Sequence, residues 1–378
     1  MRTKAAVLWG LNEDWKIEEV ELGDPVAGEV LVRLAASGMC HSDEHVRVGD
    51  IAMVEPGGWP FIGGHEGAGI VQKVGPGVSS LKEGDHVVLG FIPSCGRCPS
   101  CASGHSNLCD NGATLLTGQA IADGTYRAQV KGQDASPMCL LGTFSPYVCV
   151  HESSAIKIED DIPLDKAALV GCGVTTGWGS AVYAAEVTPG DNVVVIGIGG
   201  VGANAVQGAK AAGAKRIFAI DPLEFKREQA MKLGATHAFA SMAEAMVPIN
   251  EITWGTMAQK AILTVGRIEG EMIGEMLGLV GKGGTGVVTA MGDMGAVNMS
   301  FSLFELAMLQ KRLQGAIFGG GNPRFDIPKL LGLYREGQLK LDELVTKTYK
   351  LEDINTGYQD MLEGRNIRGL IMYGEDDY

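Results

Sequence analysis

The sequence has no cluster of basic residues and no long apolar run. Its 31 Lys and Arg residues face 45 Asp and Glu residues, which leaves a net charge of −14. An acidic chain without a basic patch repels phosphate backbones, so nucleic-acid binding is not expected. No run of about 18 apolar residues occurs, and a transmembrane helix is not expected either. Because Glu13 and Asp14 interrupt the N-terminal segment before a signal-peptide core can form, we expect a cytoplasmic protein without a membrane partner.

The chain also lacks internal repeats and low-complexity segments. Its 55 glycines do not recur at every third position, which excludes a collagen-like chain. They predict many tight turns and places where a ligand approaches the backbone closely. A length of 378 residues exceeds that of one typical domain, so two domains are expected.

Two kinds of pattern divide the sequence near residue 165. The first half contains short apolar and β-branched runs closed by Gly and Pro, such as 29–38, 68–78 and 85–95, which predict an irregular β-rich domain. From 164–182, which has a helical pattern, strands and helices alternate to about residue 290. This alternation predicts βαβ units and a parallel sheet, and therefore an α/β fold. After about Gly315 the pattern becomes mixed.

A glycine pattern closes an apolar strand and opens an Ala-rich helix. Gly197, Gly199 and Gly202 have the spacing G-x-G-x-x-G, with Gly200 and Val201 between the last two. The first glycine allows a tight turn, the second admits a pyrophosphate close to the backbone, and the third lets the helix pack on the strand. The N–H groups and dipole of the helix N-terminus then favour the pyrophosphate. The order strand, motif, helix predicts a dinucleotide site, although the glycines alone also fit a simple turn.

An acidic residue follows the next apolar strand. Asp221 closes the run RIFAID, 19 residues after Gly202. A carboxylate at about this distance accepts hydrogen bonds from the adenine ribose hydroxyls and repels a 2′-phosphate. The sequence therefore favours NAD over NADP.

Four of the eight cysteines lie within 15 residues. Cys95, Cys98, Cys101 and Cys109 have the spacing C-x2-C-x2-C-x7-C. Thiols this close do not pair easily as unstrained disulfides, but they can surround one tetrahedral Zn²⁺. Such a closed structural site holds a lobe together and binds no substrate. An iron–sulfur cluster is the alternative for four cysteines.

A second group of potential metal ligands is dispersed along the chain. Cys40, His65 and Cys172 would form a Cys2His set, which leaves one zinc position open for water or substrate. Glu66 follows His65 directly. Spacing alone does not establish this group, because Cys172 by itself fits a buried helical thiol and His65 by itself fits a structural histidine.

Several motifs together resemble the zinc-dependent alcohol dehydrogenases of the medium-chain family. These motifs are GMCHSDEH, GGHEGAG, the four-cysteine lobe, LGTFSPYVCV, VGCGVTTGWGSAV, GIGGVG and GAIFGG. The similarity extends over nearly the whole chain and is closest to the liver-type and formaldehyde-dehydrogenase classes. The segments TKAAVLWGLNEDW, CHSDEH and DPLEFKREQA narrow it to the nitrosoaniline-dependent alcohol dehydrogenases of actinobacteria.

The resemblance implies a domain organisation. A GroES-like, β-rich catalytic domain would occupy residues 1–172, with a structural zinc lobe at 93–111, and would be completed by residues 317–378. A Rossmann domain with a doubly wound parallel sheet would occupy residues 173–316 between these two parts. The resemblance also implies a homo-oligomer, either a dimer or a tetramer.

The resemblance assigns roles around the metals. It makes Cys40, His65 and Cys172 the ligands of a catalytic zinc and puts Glu66 beside that metal, while a second zinc occupies the four-cysteine lobe. Asp43 would orient one of the ligands, a role that outer carboxylates commonly fill. Two zinc ions per chain are therefore expected.

Further implied roles concern proton transfer and the cofactor. Ser42 would form a hydrogen bond with the substrate hydroxyl, and His45 would pass the proton of that hydroxyl toward solvent through the cofactor ribose. His41 and Arg368 would contact the cofactor phosphates, and Lys226 the adenine ribose.

Two departures from the liver-type enzymes concern the substrate side. Ser42 stands where those enzymes usually carry threonine, which keeps the hydroxyl, and the run between His45 and His65 is longer. That run borders the substrate cleft, which Phe91 would line. The resemblance therefore implies a small alcohol or aldehyde substrate without identifying it.

The leading hypothesis is oxidation of a primary or secondary alcohol to an aldehyde or ketone by hydride transfer to NAD. The narrower resemblance adds that NAD(H) stays bound and is reoxidised by an external acceptor, with the run 46–64 or the segment 319–325 closing over it. Alternatives are an enzyme with dissociable NAD, a glutathione-dependent formaldehyde dehydrogenase, and a non-enzymatic regulatory protein that binds NAD and zinc. Ser42 and His45 argue against the last alternative.

Overall fold

The computed structural model describes residues 1–51 and 59–378. They form two compact units, one made of Met1–Cys172 together with Asn322–Tyr378, the other of Gly173–Gly321. The chain leaves the first unit after Cys172 and re-enters it at Asn322. The boundary that the family resemblance implies lies slightly earlier, at residue 317.

The described residues form eighteen strands and eleven α-helices. The strands are β1 (Arg2–Leu8), β2 (Lys16–Leu22), β3 (Glu29–Gly38), β4 (Phe61–Ile62), β5 (Gly67–Val74), β6 (His86–Leu89), β7 (Ala128–Val130), β8 (Gln133–Pro137), β9 (Tyr147–His151), β10 (Ala155–Lys157), β11 (Asn192–Ile196), β12 (Arg216–Ile220), β13 (His237–Phe239), β14 (Ala258–Leu263), β15 (Val280–Val288), β16 (Arg312–Gly315), β17 (Val345–Tyr349) and β18 (Arg368–Met372). The helices are α1 (His41–Val48), α2 (Pro99–Ala102), α3 (Leu164–Ala167), α4 (Gly173–Gly179), α5 (Gly200–Ala211), α6 (Glu224–Leu233), α7 (Met242–Ile252), α8 (Met272–Gly278), α9 (Leu303–Met308), α10 (Pro323–Arg335) and α11 (Ile354–Leu362). None of these helices has the length and apolar character needed to cross a membrane.

The first unit contains a closed barrel and a larger sheet. The barrel has the strand order β1–β2–β7–β8–β4, and alternate residues such as Ala5, Val7 and Val20 form its small apolar cluster. The seven-stranded sheet has the order β10–β6–β5–β3–β18–β17, with β9 also paired to β3. β18 runs antiparallel to β3 with Leu370 opposite Gly38. The C-terminal segment therefore completes this sheet, beside the end of β3 that leads to Cys40.

The second unit is built on a parallel sheet of six strands in the order β13–β12–β11–β14–β15–β16. Every residue of β11 is buried, as expected for a strand whose two faces are covered by helices. Val194, Phe218 and Leu263 belong to its apolar core. The chain moves outward from β11 in one direction and then crosses to β14, which produces the predicted doubly wound α/β arrangement.

The segment 164–182 does not form the continuous helix that its pattern predicts. α3 and a 3-10 turn over 168–171 end before Cys172, whose backbone is non-helical (φ −144°, ψ −79°), and α4 begins at Gly173. A side chain at Gly171 would collide with the carbonyl of Leu89. The expectation of one helix is therefore wrong at Cys172, where the break sets the direction of the thiol.

Candidate active site and metal centres

Cys40 lies in the short connection between β3 and α1. Its backbone is extended (φ −121°, ψ 151°), and it occupies the position just before the first helical residue. Gly38, the last residue of β3, has no room for a side chain, because a Cβ there would collide with the Glu66 carboxylate. The connection is therefore packed closely and holds Cys40 with 8% of its surface exposed.

His65 and Glu66 follow a glycine turn between β4 and β5. Gly64 has a φ of +88°, a value that favours glycine, and a Cβ there would collide with Phe144. Both side chains after the turn are buried. One donor atom from each of Cys40, His65, Glu66 and Cys172 lies within 4.8 Å of all the others. The dispersed residues named in the sequence analysis are thus brought together in the first unit.

The chemistry of this donor set fits a zinc ion. Two thiols and an imidazole are the protein ligands of catalytic zinc in alcohol dehydrogenases, and donor atoms on one tetrahedral zinc lie about 3.3–3.8 Å apart. The hydrogen bond with the Cys172 thiol holds the pKa of Cys40 well below its ordinary value, against the effect of burial. A thiolate is the form that binds a metal, so the group is prepared for one.

Asp43 is the fully buried neighbour of His65. Its Oδ2 lies 3.2 Å from His65 Nδ1, and its Oδ1 accepts a hydrogen bond of 2.7 Å from the Gly64 N–H. Burial alone would lower the pKa of His65, but Asp43 and the Cys40 thiolate raise it well above its ordinary value. Because the Asp43 carboxylate faces Nδ1, Nε2 is the nitrogen left for a metal. The Phe91 ring lies edge-on to the His65 ring, with centroids 5.8 Å apart.

Glu66 forms a buried ion pair with Arg368, the first residue of β18. The two side chains are 0% and 6% exposed. Burial alone would lower the pKa of Arg368, but Glu66 raises it above its ordinary value. The resemblance assigned Arg368 to a cofactor phosphate, and the contact seen in the structure is with Glu66. The Arg368 Nε is buried and has no hydrogen-bond partner in the described part of the chain.

α1 carries three further residues named in the sequence analysis besides Asp43. Ser42 Oγ lies 3.6 Å from Cys40 Sγ, so the hydroxyl is beside the dispersed ligand group. The rings of His41 and His45 have centroids 5.0 Å apart, and the His45 side chain is 3% exposed. One short helix therefore positions the hydroxyl, the carboxylate and the imidazoles that acid–base chemistry needs.

The four-cysteine lobe forms a second, separate donor group. The four sulfur atoms lie within 4.8 Å of one another, and all eight cysteines of the chain are free thiols. Cys98 Sγ accepts hydrogen bonds from the N–H groups of Cys101 (3.4 Å) and Asp110 (3.5 Å). Burial raises the pKa of a thiol, but the N–H groups of Arg97 and Cys98 outweigh it and lower the pKa of Cys95 to about 6. The group fits the closed four-thiolate zinc site that its spacing predicts.

The glycine motif of the second unit has the conformation that its spacing predicts. Gly197 follows β11 with a φ of +88°, and Gly199 immediately precedes α5, which begins with Gly200 and Val201. A Cβ at Gly202 would collide with the carbonyl of Gly197. A Cβ at Gly199 would meet no atom within 4 Å, which is the open space that a pyrophosphate requires.

Asp221 directly follows β12 and is 4% exposed. Its Oδ2 accepts a hydrogen bond of 2.8 Å from the Ile198 N–H, within the glycine motif, and its Oδ1 accepts one of 3.0 Å from the Leu223 N–H. Lys226 lies half-buried in α6. The carboxylate is thus tied to the glycine loop, as a residue that lines the same ligand would be.

Comparison with known proteins identifies the family. Residues 26–160 match the alcohol dehydrogenase GroES-like domain, and residues 200–336 match the zinc-binding dehydrogenase family. Alcohol dehydrogenase B of Mycobacterium tuberculosis is 55% identical over 377 residues, and the NDMA-dependent alcohol dehydrogenase of Amycolatopsis methanolica is 50% identical over 376 residues, each match covering 100% of both chains. The structure of benzyl alcohol dehydrogenase from Acinetobacter calcoaceticus is 30% identical with a TM-score of 0.89, covering 99% of this chain and 100% of that one. The chain belongs to the zinc-dependent medium-chain alcohol dehydrogenase family.

Membership of the alcohol dehydrogenase family confirms the resemblance and the fold class that the motifs predicted. The chain is therefore an oxidoreductase, an enzyme rather than a regulatory binding protein. The GroES-like match contains Cys40, His65 and the whole four-cysteine lobe, whereas Cys172 lies between the two matched ranges.

Tyr358 is a residue of this alcohol dehydrogenase that sequence reasoning missed. Its hydroxyl donates a hydrogen bond of 3.3 Å to the Cys40 carbonyl, and its ring stacks on Trp15 with centroids 5.9 Å apart. It lies in α11, far along the chain from Cys40. The only signal in the sequence is that Ile354 and Tyr358 are spaced to share one buried helix face, which does not indicate what that face contacts.

Proposed function

We propose that this chain oxidises primary or secondary alcohols to aldehydes or ketones, using one catalytic zinc, one structural zinc and NAD. The observation that carries the proposal is the buried convergence of Cys40, His65 and Cys172 beside the Ser42 hydroxyl. This ligand set leaves one zinc position for a substrate oxygen. Zinc bound there would supply Lewis acidity and favour loss of the alcohol proton.

The protein's own groups then handle that proton. Ser42 accepts a hydrogen bond from the alcohol hydroxyl and relays the proton through the cofactor ribose to His45, which passes it toward solvent. Asp43 keeps the His65 ring in place throughout, since its carboxylate faces Nδ1 at 3.2 Å. General-base assistance of this kind contributes about 10²-fold or more to the rate.

NAD binding is supported by residues in each unit. In the second unit, the glycine loop gives open space at Gly199 and is tied to the Asp221 carboxylate. In the first unit, the buried guanidinium of Arg368 has an Nε without a partner among the described residues, and a phosphate oxygen would satisfy it. His41 and Lys226 complete the proposed contacts. NAD would accept the hydride at its nicotinamide ring.

We further propose that NAD(H) stays bound through turnover and is reoxidised by an external acceptor. The support is the 50% identity to a protein named NDMA-dependent alcohol dehydrogenase, which covers the whole chain. Retention requires slow dissociation, the step in which related complexes usually differ. Of the two segments predicted to close over the cofactor, 46–64 includes residues 52–58, which lie outside the described residues, whereas 319–325 contains the junction at Asn322 and the start of α10.

One preparation tests both proposals. The protein is purified without added cofactor, and zinc and released NAD(H) are counted per chain after denaturation. We expect about two zinc ions, about one NAD(H), and turnover of ethanol, butan-1-ol or benzyl alcohol with nitrosoaniline alone. A protein that is purified without NAD(H) and steadily reduces added NAD contradicts cofactor retention, but it remains consistent with the proposed alcohol oxidation. Activity only when glutathione accompanies formaldehyde, or no activity at all, contradicts the alcohol oxidation itself.

We also propose that the chain assembles into dimers or tetramers. Eight large apolar side chains between residues 291 and 317 are exposed on the second unit, among them Val297 (85%), Leu303 (74%) and Phe304 (71%). Several exposed apolar side chains along one stretch of chain support an interaction surface, provided that they form one patch.

A further inference from the structure

α1 ends in a turn that brings Asp50 back beside the helix. Gly49 follows Val48 with a φ of +86°, and its N–H donates to the Val46 carbonyl at 3.2 Å. The next hydrogen bond, also 3.2 Å, runs from the Ile51 N–H to the His45 carbonyl. A left-handed glycine at this position is a common way to end a helix and reverse the chain.

The turn places the Asp50 carboxylate beside Nδ1 of the His45 ring. Asp50 Oδ2 lies 2.9 Å from His45 Nδ1, and the two side chains are only 12% and 3% exposed. An ionised carboxylate can only accept hydrogen bonds. His45 therefore carries a hydrogen on Nδ1 in this pair, which leaves the lone pair of the neutral ring on Nε2.

We infer that Asp50 is a positioning residue for proton transfer, which holds His45 in the tautomer whose Nε2 accepts the proton. The inference rests on the proposed function, in which His45 receives the alcohol proton through Ser42 and the cofactor ribose. In that step the proton adds to Nε2, the Nδ1 hydrogen stays in place, and the Asp50 carboxylate remains ionised and balances the imidazolium charge. A carboxylate that orients a histidine base in this way recurs in unrelated hydrolases.

A purely structural role for the pair is the alternative. Asp50 would then only help to close the end of α1, and its loss would lower stability without a specific effect on proton transfer. The two roles differ in whether the effect of Asp50 passes through His45.

The kinetic test uses Asp50→Ala, His45→Gln and the double variant. The alcohol is whichever of ethanol, butan-1-ol and benzyl alcohol the wild type oxidises fastest. For Asp50→Ala we expect kcat to fall about 10-fold, the lower range for loss of an outer orienting partner, with KM within about two-fold. Because Asp50 acts through His45, the double variant should be no slower than His45→Gln alone. Asp50→Asn keeps an accepting oxygen without the charge, so it should lie between the wild type and Asp50→Ala.

Glu44→Gln is the matched control on the same helix. Glu44 is also buried and pairs with Arg47 through two hydrogen bonds of 2.7 Å, but these bonds do not involve His45. It should leave kcat within about two-fold of the wild type. If Glu44→Gln slows turnover as much as Asp50→Ala, charge or stability at α1 explains the effect and the inference fails.

Nitrogen NMR of the histidine-labelled protein gives a readout without turnover. The signal that disappears in His45→Gln belongs to His45. Its chemical shifts should report hydrogen on Nδ1 in the wild type and a different tautomer mixture in Asp50→Ala.

An unchanged His45 signal in Asp50→Ala, or independent effects of the two substitutions on kcat, would overturn the inference. If His45→Gln itself leaves kcat unchanged, the proposed proton relay is wrong. If His45→Gln lowers kcat and Asp50→Ala does not, the inferred role of Asp50 is wrong and the proposed proton relay stands.

Discussion

At the scale of single residues, each of the three proposed zinc ligands of the dispersed group stands at a departure from regular backbone. Cys40 is extended just before α1, His65 follows the left-handed Gly64, and Cys172 interrupts a run of helical residues. Side chains within a regular helix or strand point in directions set by its period. Three donors from distant segments meet here at positions where no such period sets the side-chain direction, so no repeat in the sequence indicates that they meet.

Two matched substitutions, Cys40→Ser and Cys98→Ser, distinguish the two proposed metal sites. Cys40→Ser should retain about one zinc per chain and lose at least about 100-fold in turnover, with little change in melting temperature. Cys98→Ser should also lose one zinc, but it should lower the melting temperature because metal binding at a closed site contributes folding free energy. Elemental analysis, steady-state rates and calorimetry of the two variants provide the comparison. Full activity in Cys40→Ser would exclude the dispersed group as the catalytic centre.

At the scale of elements, the patterns that repeat locally could be predicted from the sequence. The glycine motif between β11 and α5 and the four-cysteine lobe each lie within a short stretch of chain. The spacing of their residues in the sequence is therefore enough to predict their arrangement in space. The prediction of a continuous helix over 164–182 was wrong: the backbone is non-helical at Cys172, and Gly171 packs against the Leu89 carbonyl, a contact between distant segments that no local pattern indicates. The support of Cys40 by Tyr358 was missed for the same reason, since a contact between α11 and the start of α1 has no local period.

The C-terminal elements share an ionic cluster that gives a prediction on pH. Asp360 in α11 accepts hydrogen bonds from Lys347 and from the Tyr349 hydroxyl (2.6 Å) of β17, and from Arg365 Nε (2.7 Å). The hydrogen bond from Lys347, followed by that from Tyr349, lowers the pKa of Asp360 below its ordinary value. Because the folded pKa is the lower one, the stabilisation is complete above the unfolded value of about 3.9 and is lost as the pH falls further.

Asp360→Asn should therefore lower the free energy of unfolding by about 2 kcal/mol at pH 7, the scale of a hydrogen bond to a charged group. The difference from the wild type should be unchanged at pH 5 and smaller at pH 3.5. Urea unfolding at the three pH values measures it. Glu343→Gln is the control, since the exposed pair of Glu343 with Lys340 should contribute less than about 1 kcal/mol. A difference that is the same at pH 3.5 as at pH 7 would show that the charge of Asp360 is not the source.

At the scale of the whole molecule, charge and apolar surface are distributed unevenly. The chain carries a net charge of −14, yet residues 291–317 contain two acidic and two basic residues and are neutral overall. β16, which belongs to this stretch of chain, lies at the end of the strand order of the six-stranded sheet. Two copies that met through this segment would bury apolar side chains and would bring little net charge together, whereas most other parts of an acidic surface repel.

The proposed assembly can be tested by placing charge in this segment. Leu303 and Phe304 lie in α9 and are 74% and 71% exposed, so substitution should change the free energy of unfolding of the single chain by no more than about 0.5 kcal/mol. In a dimer or tetramer joined here, Leu303→Glu with Phe304→Glu would bury four acidic groups near one another in each pair of copies. Light scattering at micromolar concentration should then show a species of smaller mass than the wild type. Val247→Glu, which changes an apolar side chain of 62% exposure in α7, should leave the mass unchanged. A wild-type protein with the mass of one chain refutes the assembly, whereas an oligomer that survives the double substitution places the interface elsewhere on the surface.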